Sequence, residues 1–313
     1  MRIVYSPRYN IDIGAHVFPT AKYRLLAERI AASGLVPAAA IVEPETASWE
    51  DLGLVHTPEY LERLRDGDFR LEELAQLEVA WSKDVVEGFR LMTGGTLLAA
   101  RLAIQEQPGL ISRGSEPGYL SPGAPVVVHL GGGLHHGFPD HGEGFCFFND
   151  VAVAIRVLQR DRAVSNVAVI DLDVHHGNGT AFIFGGDPGV FTFSMHQEHN
   201  YPNEKPAGSL DIGLPDRMGD AEYIVQLIDA LPAVFERSPD LIFYLAGADP
   251  FGDDQLGGLS LTKDGLRQRD RVVVRSARKH GIPLVVCLAG GYARRLADTV
   301  DIHYATVEEA CRA

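Results

Sequence analysis

The chain has 313 residues, 46% hydrophobic and 22% charged, which excludes wholesale disorder and predicts a sizeable buried core. Lys and Arg number 28 against 42 Asp and Glu, and the net charge of −14 argues against a nucleic-acid-binding role. No apolar run reaches the roughly 18–20 residues of a membrane helix, and residues 1–7 lack the apolar stretch of a signal peptide. Composition therefore predicts no nucleic-acid partner and no membrane partner.

Unbroken runs of β-branched and aromatic residues predict buried parallel strands, with helix-like stretches between them. In chain order the predicted strands are Ile3–Tyr5, Val126–Leu130, Val167–Leu172, Val190–Phe193, Leu241–Ala246 and Leu284–Ala289. The predicted helices are Ala21–Ala32, Asp84–Ala103, Asp150–Arg160, Asp220–Glu236 and Lys263–His280. This alternation is typical of the α/β class. We expect residues 1–313 to form a single domain with a mostly parallel sheet flanked by helices on both faces.

Local signals refine these elements. Asp150, Asp220 and Thr262 stand at predicted helix starts and are candidate N-caps. The stretch Gln107–Pro125 is rich in Pro and Gly, which predicts an exposed loop between a helix and a strand.

Histidine is unevenly distributed, and cysteine is sparse. Eight of the 12 histidines lie between His129 and His199, with carboxylates among them. The three cysteines are far apart and odd in number, which favours a reducing cytoplasm over a disulfide scaffold. The histidine-rich segment is therefore the first candidate for a functional site.

Glycine or residues of catalytic type follow four of the predicted strands. The segments are Gly131–His136, Asp171–Asn178, Ala246–Asp249 and Gly290–Tyr292. In open α/β sheets the ligand crevice lies outside the carboxyl ends of the strands. The four segments are therefore predicted to converge on one site.

The spacing of Asp171, Asp173 and His175 indicates a metal. In extended chain, alternate side chains point to one face, so all three share a side at a buried strand end. Burying two carboxylates together is unfavourable without a cation, and carboxylates with one histidine suit zinc or another first-row divalent ion. Asp249 is the natural third ligand, and three ligands with an open position are typical of catalytic zinc. The alternative is that the aspartates cap the next helix and His175 is a core histidine.

The adjacent pair His135–His136 admits two interpretations: both could be ligands, or one a base and the other an acid. Asp171 and Asn178 are candidates to fix the imidazole tautomers. Tyr292 follows two glycines and could donate to a substrate carbonyl, although an isolated tyrosine there would more often be a partly buried core residue.

The remaining histidines of this segment receive structural interpretations. His129, within a strand, is a predicted core histidine, and His176 is expected to pack or bond to backbone. Three others are predicted to lie in loops, at the rim of the site or facing solvent: His141, His196 and His199.

These motifs, in order across most of the chain, resemble those of the zinc-dependent histone deacetylase family of the arginase–deacetylase superfamily. The segments are residues 129–136, 144–150, 171–179, 247–249, 256–259 and 290–292. Residues 18–23, 55–60 and 257–260 look most like the class IV branch and its bacterial relatives. The resemblance implies the arginase–deacetylase fold. Because the chain is short and has no long terminal extension to recruit a chromatin complex, we expect a stand-alone bacterial enzyme, and the cysteine content favours the cytoplasm. Its implied substrate is an acyl-lysine protein or peptide, or an acetylated small amine.

The resemblance also implies residue roles. Asp173, His175 and Asp249 bind one zinc ion per chain. His135 acts as general base and His136 as general acid, with Asp171 bonded to His135 and Asn178 facing His136; Tyr292 polarises the acyl carbonyl. Gly144 and Phe145 line an acyl-lysine tunnel, with Tyr201 opposite. A potassium ion near the Asp171 strand, beside Ser194, is a further family feature.

One departure from many class I members is Asn178, where they carry Asp. An amide does not stabilise a cationic imidazole as a carboxylate does, so we expect a lower pKa for His136. Other hypotheses are an acetylpolyamine amidohydrolase, an arginase-like binuclear manganese ureohydrolase and a catalytically silent acyl-lysine-binding module. The arginase-like hypothesis is weakened because Val174 and His175 follow Asp173 in place of the Asp-Ala-His-x-Asp run of arginases.

Overall fold

Eight strands form one sheet in the computed structural model, which describes residues 1–106 and 124–312. The strands are β1 Arg2–Val4, β2 Ile41–Val42, β3 Val126–His129, β4 Val167–Asp171, β5 Val190–Gln197, β6 Leu210–Leu214, β7 Leu241–Leu245 and β8 Leu284–Cys287. Their order is β2-β1-β3-β8-β7-β4-β5-β6, and every neighbouring pair is parallel.

Ten α-helices accompany the sheet in the described part of the chain. They are α1 Ala21–Ser33, α2 Trp49–Leu52, α3 Pro58–Asp66, α4 Leu71–Leu77, α5 Lys83–Gln105, α6 Asp150–Arg160, α7 Asn178–Phe184, α8 Asp220–Phe235, α9 Lys263–Lys279 and α10 Leu296–Arg312. None of the helices in residues 1–106 and 124–312 has the length and apolar character needed to cross a membrane.

Alternate residues of the central strands enter two separate hydrophobic clusters, one on each face of the sheet. In β3, Val127 belongs to one cluster, whereas Val126 and Val128 belong to the other. The first cluster includes buried residues of α5 and α6, and the second those of α1, α8, α9 and α10. Burial on both faces explains the unbroken apolar runs. The predicted α/β class with a parallel sheet covered on both faces is confirmed.

All six predicted strands and five predicted helices are present, with ends shifted by a few residues; β5 continues four residues beyond the predicted Phe193. Strands β2 and β6 were not predicted. β2 has only two residues, and β6 alternates between exposed and buried positions at the sheet edge. Neither strand has an unbroken apolar run. A search for such runs therefore finds the central strands of the sheet but not its edge strands. The predicted loop Gln107–Pro125 lies outside the described residues except for its last two.

Two of the three predicted caps are wrong by one residue. Asn149, not Asp150, caps α6, and its side chain accepts from Ala152 N at 2.9 Å. The buried Asp150 carboxylate instead accepts from the backbone N–H groups of Gly133 and Leu134, at 3.0 and 2.7 Å. Asp150 therefore anchors the glycine-rich loop that precedes the tandem histidines.

The predicted cap Asp220 is the first residue of α8, whose N-cap is Gly219. Its carboxylate reaches across to the start of α9 and accepts from Thr262 N at 2.8 Å and Thr262 Oγ1 at 2.6 Å. Thr262 is the N-cap of α9 as predicted, since Oγ1 accepts from Gly265 N at 3.0 Å. The pair thus joins the beginnings of two helices.

Replacing Thr262 by alanine is expected to lower the free energy of unfolding by about 1–2 kcal/mol, because it removes both the cap and the bond to Asp220. Thr262→Ser retains the hydroxyl and should stay close to the parent protein. Denaturant titration followed by circular dichroism measures the difference. Equal destabilisation by both variants would contradict a role for the hydroxyl.

Candidate active site

The four polar segments converge because their strands are neighbours. β3, β8, β7 and β4 lie side by side in the sheet and run parallel, so their carboxyl ends share one edge. The structure brings the predicted site residues of all four segments to this edge.

Asp173, His175 and Asp249 form a group whose ligand atoms all lie within 4.8 Å of one another, and all three residues are buried. Backbone N–H groups hold both aspartates: Asp173 Oδ2 accepts from Gly290 N and Asp249 Oδ1 from Val174 N, both at 2.9 Å. The other oxygen of Asp173, Oδ1, accepts from His175 N at 3.0 Å. The Nδ1 atom of His175 lies 3.0 Å from Asp173 Oδ1 and 3.6 Å from Asp249 Oδ2.

The donor set of this group fits a divalent metal. Asp249 Oδ2 is buried without a hydrogen-bond partner among residues 1–106 and 124–312. Burial and the charge of Asp173 raise the pKa of Asp249 to about 7. A Cβ added at Gly290 would collide with carboxylate oxygens of Asp249 and Asp173, so only glycine leaves space there. An orphaned carboxylate oxygen beside a second carboxylate and an imidazole is what a cation would satisfy.

A second group, His129 with Asp150 and Cys287, also has the residue types of a metal site. Both ring nitrogens of His129 are already partnered, Nδ1 with Thr96 Oγ1 at 3.0 Å and Nε2 with Tyr9 Oη at 2.8 Å. Burial lowers the pKa of His129 to about 3, so the ring is neutral. The hydrogen bonds indicate a satisfied core histidine, as its place within a strand predicted.

Each of the tandem histidines has one hydrogen-bond partner in the segment Asp171–Asn178. His135 Nδ1 lies 2.7 Å from Asp171 Oδ2, and His136 Nδ1 lies 2.6 Å from Asn178 Oδ1. Both histidines are 4% exposed, and their ring centroids are 4.1 Å apart. Since the Nδ1 atoms are engaged, the two Nε2 atoms are available for chemistry; His135 Nε2 lies 3.8 Å from Asp173 Oδ1.

The different partners give the two imidazoles opposite electrostatics. Burial disfavours a charge on His135, yet Asp171 and Asp173 raise its pKa to about 9. Burial and the neighbouring His135 and His175 lower the pKa of His136 well below its ordinary value. The expected low pKa of His136 therefore agrees with the structure, but its causes are burial and the two neighbouring imidazoles, because the hydrogen bond to Asn178 raises this pKa.

Tyr292 is 9% exposed and packs against Phe145 and Phe18, with ring centroids 5.8 and 6.3 Å away. Its backbone is fixed at both ends, because its N–H donates to Asp254 Oδ2 at 2.7 Å and its carbonyl accepts from Gln255 Nε2 at 2.8 Å. The segment after β8 therefore holds the phenol in place beside the metal-ligand group.

A cavity of about 180 Å³ lies over these groups. It is lined by Glu78, His136, Gly144, Phe145, His175, Asn200, Tyr201, Leu256 and Tyr292. Gly144 and Phe145 have φ of 52° and 70°, and a Cβ at Gly144 would meet the His136 ring. Tyr201 stands edge-on to His136 with ring centroids 5.0 Å apart. All three predicted tunnel residues thus line one cavity.

The structure also bears on the predictions for His196, His176 and Ser194. His196 is not in a loop but in β5, 2% exposed, with Nδ1 3.0 Å from Ser194 Oγ. His176 is buried and packs against His196, in agreement with the expected packing, and its Nε2 also lies 3.3 Å from Asp211 Oδ1. The potassium ion expected beside Ser194 receives no support from the described residues, where this hydroxyl is already partnered.

Three residues that shape the site were not predicted from the sequence. Asp254 holds the backbone of Tyr292, and Glu143 bonds to Asn178 and Tyr201. Lys22 is 1% exposed; its ammonium donates to Ala289 O at 2.8 Å, and burial lowers its pKa to about 8. The position of Glu143 directly before Gly144 was an available signal, and so was that of Lys22 within residues 18–23, a segment that carries the resemblance.

Known proteins resemble this chain in sequence and in fold. Residues 16–307 match the family model described as histone deacetylase domain. A protein of Picosynechococcus sp. is 37% identical over 303 residues, covering 96% of this chain and 95% of that protein. Histone deacetylase 2 of Arabidopsis thaliana is 33% identical over 317 residues, which cover 96% of this chain and 77% of that protein. The solved HDA15 HD domain shares the fold, with a TM-score of 0.78 at 20% sequence identity. The match covers 100% of this chain and 91% of that domain. Because the family match spans all four strand-end segments, the chain belongs to the histone deacetylase family, as its motifs predicted.

Proposed function

We propose that the chain is a zinc-dependent amidohydrolase that removes an acyl group from an amine such as acyl-lysine. The observation that carries the proposal is that chemical groups of several kinds lie together at one place in the fold. A buried group of three metal-ligand residues, two partnered imidazoles and a buried phenol meet at one sheet edge beneath a cavity. Amide hydrolysis needs a Lewis acid, a proton acceptor, a proton donor and an oxyanion donor, and these groups supply that set.

Asp173, His175 and Asp249 would hold the zinc ion. When bound, zinc supplies a Lewis acid that polarises the amide carbonyl and makes water more acidic. Three protein ligands leave a coordination position free, as catalytic zinc sites require.

The chain's own residues would manage the protons. His135 is paired with the carboxylate of Asp171, which stabilises its imidazolium. A bound zinc ion would neutralise the charge of Asp173, which raises the pKa of His135 in the metal-free chain, so that Nε2 would be free to take a proton from the attacking water. His136 is paired with an amide, which stabilises the cation less, so once its Nε2 has accepted a proton during the reaction it passes that proton readily to the leaving amine. The hydroxyl of Tyr292 would donate to the carbonyl oxygen as negative charge develops there.

The cavity suits an acyl chain on a cationic amine or peptide. Phe145, Leu256 and Tyr201 supply apolar walls, and Glu78 adds a carboxylate to the lining. A neighbouring groove continues past Tyr201 and contains Glu78, Glu143 and Glu204. These carboxylates favour a positively charged substrate, either an acyl-lysine peptide or an acetylated small amine.

We further propose that residues 1–313 act as one catalytic domain, since strands from Arg2–Val4 to Leu284–Cys287 build a single sheet. A reducing cytoplasm is the proposed compartment, because Cys146, Cys287 and Cys311 are all free thiols.

The test is hydrolysis of acetyl-, butyryl- and myristoyl-lysine peptides and of acetylated polyamines, with zinc and after chelation. We expect zinc-dependent turnover of at least one member. Replacing His135 by alanine should lower kcat by roughly 10²–10⁴-fold, because the proton acceptor is lost. His199→Ala, which changes an exposed histidine, is the matched control and should leave kcat unchanged. No turnover by the zinc-loaded protein on any substrate would overturn the proposal.

A further inference from the structure

Glu143 lies directly behind Asn178, the residue that gives His136 an amide partner in place of a carboxylate. It is 8% exposed, and one oxygen, Oε1, accepts from Asn178 Nδ2. The same oxygen accepts from Tyr201 Oη at 2.9 Å, while Oε2 accepts from Gln76 Nε2 at 2.9 Å. Glu143, Asn178 and His136 thus form a hydrogen-bonded row that ends at the reaction site.

This row has only one consistent set of donors and acceptors. An ionised carboxylate accepts hydrogen bonds and cannot donate them, so Asn178 must turn its NH₂ group toward Glu143. Its carbonyl oxygen then faces His136 Nδ1 at 2.6 Å. The nitrogen Nδ1 must therefore carry the hydrogen, which leaves Nε2 of the neutral ring free toward the cavity.

The surroundings of Glu143 keep it ionised despite burial. Donors from Gln76, Asn178 and Tyr201 point at its oxygens, and His141 Nε2 lies 3.6 Å from Oε2. Burial alone would raise the pKa of Glu143, but these partners, led by His141, hold it well below its ordinary value.

The loop that carries Glu143 is itself fixed. Gly144 N and Phe145 N donate to the carbonyls of Gln76 and Leu77, at 3.2 and 3.0 Å, near the end of α4. Cys146 N donates back to Glu143 O at 2.9 Å. The segment that lines the cavity therefore delivers Glu143 to Asn178 in one place.

We propose that Glu143 is a positioning residue for the deacylation reaction, which fixes the amide of Asn178 and through it the tautomer of His136. The inference rests on the proposed function for its kinetic part. Without an acceptor at position 143, the amide of Asn178 can turn over and present NH₂ to His136. The ring would then carry its hydrogen on Nε2, where a proton must be accepted and returned.

The first experiment replaces Glu143 by leucine, which has similar size and no acceptor. We expect kcat to fall by roughly 10–100-fold, with a much smaller change in KM. Glu143→Gln can still offer one acceptor to Asn178, so its kcat should lie between those of Glu143→Leu and the wild type. If Glu143→Leu does not fold, the kcat of Glu143→Gln tests the proposal in its place. Glu62→Leu, the same substitution at an exposed position of α3, is the control and should keep the parent kcat. A Glu143→Leu kcat equal to that of the wild type would overturn the proposal.

The second experiment separates positioning from a structural role. Asn178→Asp places a carboxylate against Glu143, and we expect repulsion to lower kcat. Adding Glu143→Leu to Asn178→Asp should restore activity, because an aspartate accepts from His136 Nδ1 whichever oxygen faces it. If Glu143 were only structural, its loss would lower kcat equally in both backgrounds. Equal losses would therefore overturn the proposal.

A third readout does not need turnover. Nitrogen-15 NMR of histidine-labelled, zinc-loaded protein reports which ring nitrogen carries hydrogen, and the His136 signals are identified by their loss in His136→Phe. We expect Nδ1–H in the wild type and a mixture with Nε2–H in Glu143→Leu. A wild type with this tautomer but no deacylation would refute the proposed function and leave the inference intact. An unchanged tautomer in Glu143→Leu would refute the inference alone.

Discussion

Replacing Asp249 by asparagine is expected to remove stoichiometric zinc from the purified protein and to abolish deacylation. Asp249 contributes the buried oxygen that has no hydrogen-bond partner within the described ranges, beside Asp173 and His175. An amide oxygen carries no full charge and is a weaker zinc ligand than a carboxylate. Metal content by mass spectrometry and kcat on the best substrate of the peptide and polyamine panel measure the effect.

Stability measurements test whether the loss arises at the metal rather than from misfolding. Without metal, the wild type buries two neighbouring carboxylates, whereas Asp249→Asn buries one. The metal-free variant should therefore be at least as stable as the metal-free wild type. Zinc should raise the melting temperature of the wild type strongly and that of the variant little. Asp253→Asn, at a partly exposed neighbour, is the control. A variant that retains zinc and activity would exclude Asp249 as a ligand.

Replacing Tyr292 by phenylalanine should lower kcat by roughly 10²–10³-fold, the usual effect of losing an oxyanion donor. Phenylalanine preserves the ring contacts with Phe18 and Phe145, so the fold and the zinc content should not change. Binding of substrate uses the ring more than the hydroxyl, so KM should change much less than kcat.

The matched control for this variant is Tyr223→Phe. Tyr223 is fully buried in the other hydrophobic cluster, and its hydroxyl has no hydrogen-bond partner within residues 1–106 and 124–312. Removing that hydroxyl should leave kcat and stability close to those of the wild type. Full activity in Tyr292→Phe, with Tyr223→Phe also active, would show that the carbonyl is polarised without the phenol.

The central strands and the convergence of the site segments were predictable because their causes are local. A strand buried on both faces must be apolar throughout, and residues that follow parallel strands must meet at one edge. The same local criterion missed the edge strands Ile41–Val42 and Leu210–Leu214, since half-exposed residues carry no comparable pattern. The caps at Asn149 and Gly219 differ from Asp150 and Asp220 by a single position, which composition does not resolve.

The α/β class, the family resemblance and the residue types gathered at the site follow from the amino-acid sequence. Which of these groups are in contact depends on the three-dimensional fold. Glu143 contacts Asn178 across 35 residues, and Asp254 contacts Tyr292 across 38. Lys22 donates a hydrogen bond to the carbonyl of Ala289, which lies 267 residues further along the chain. Such pairings depend on how loops from separate strands fold over the sheet edge, and a hydrogen bond of about 3 Å is too short-ranged for residue spacing to specify.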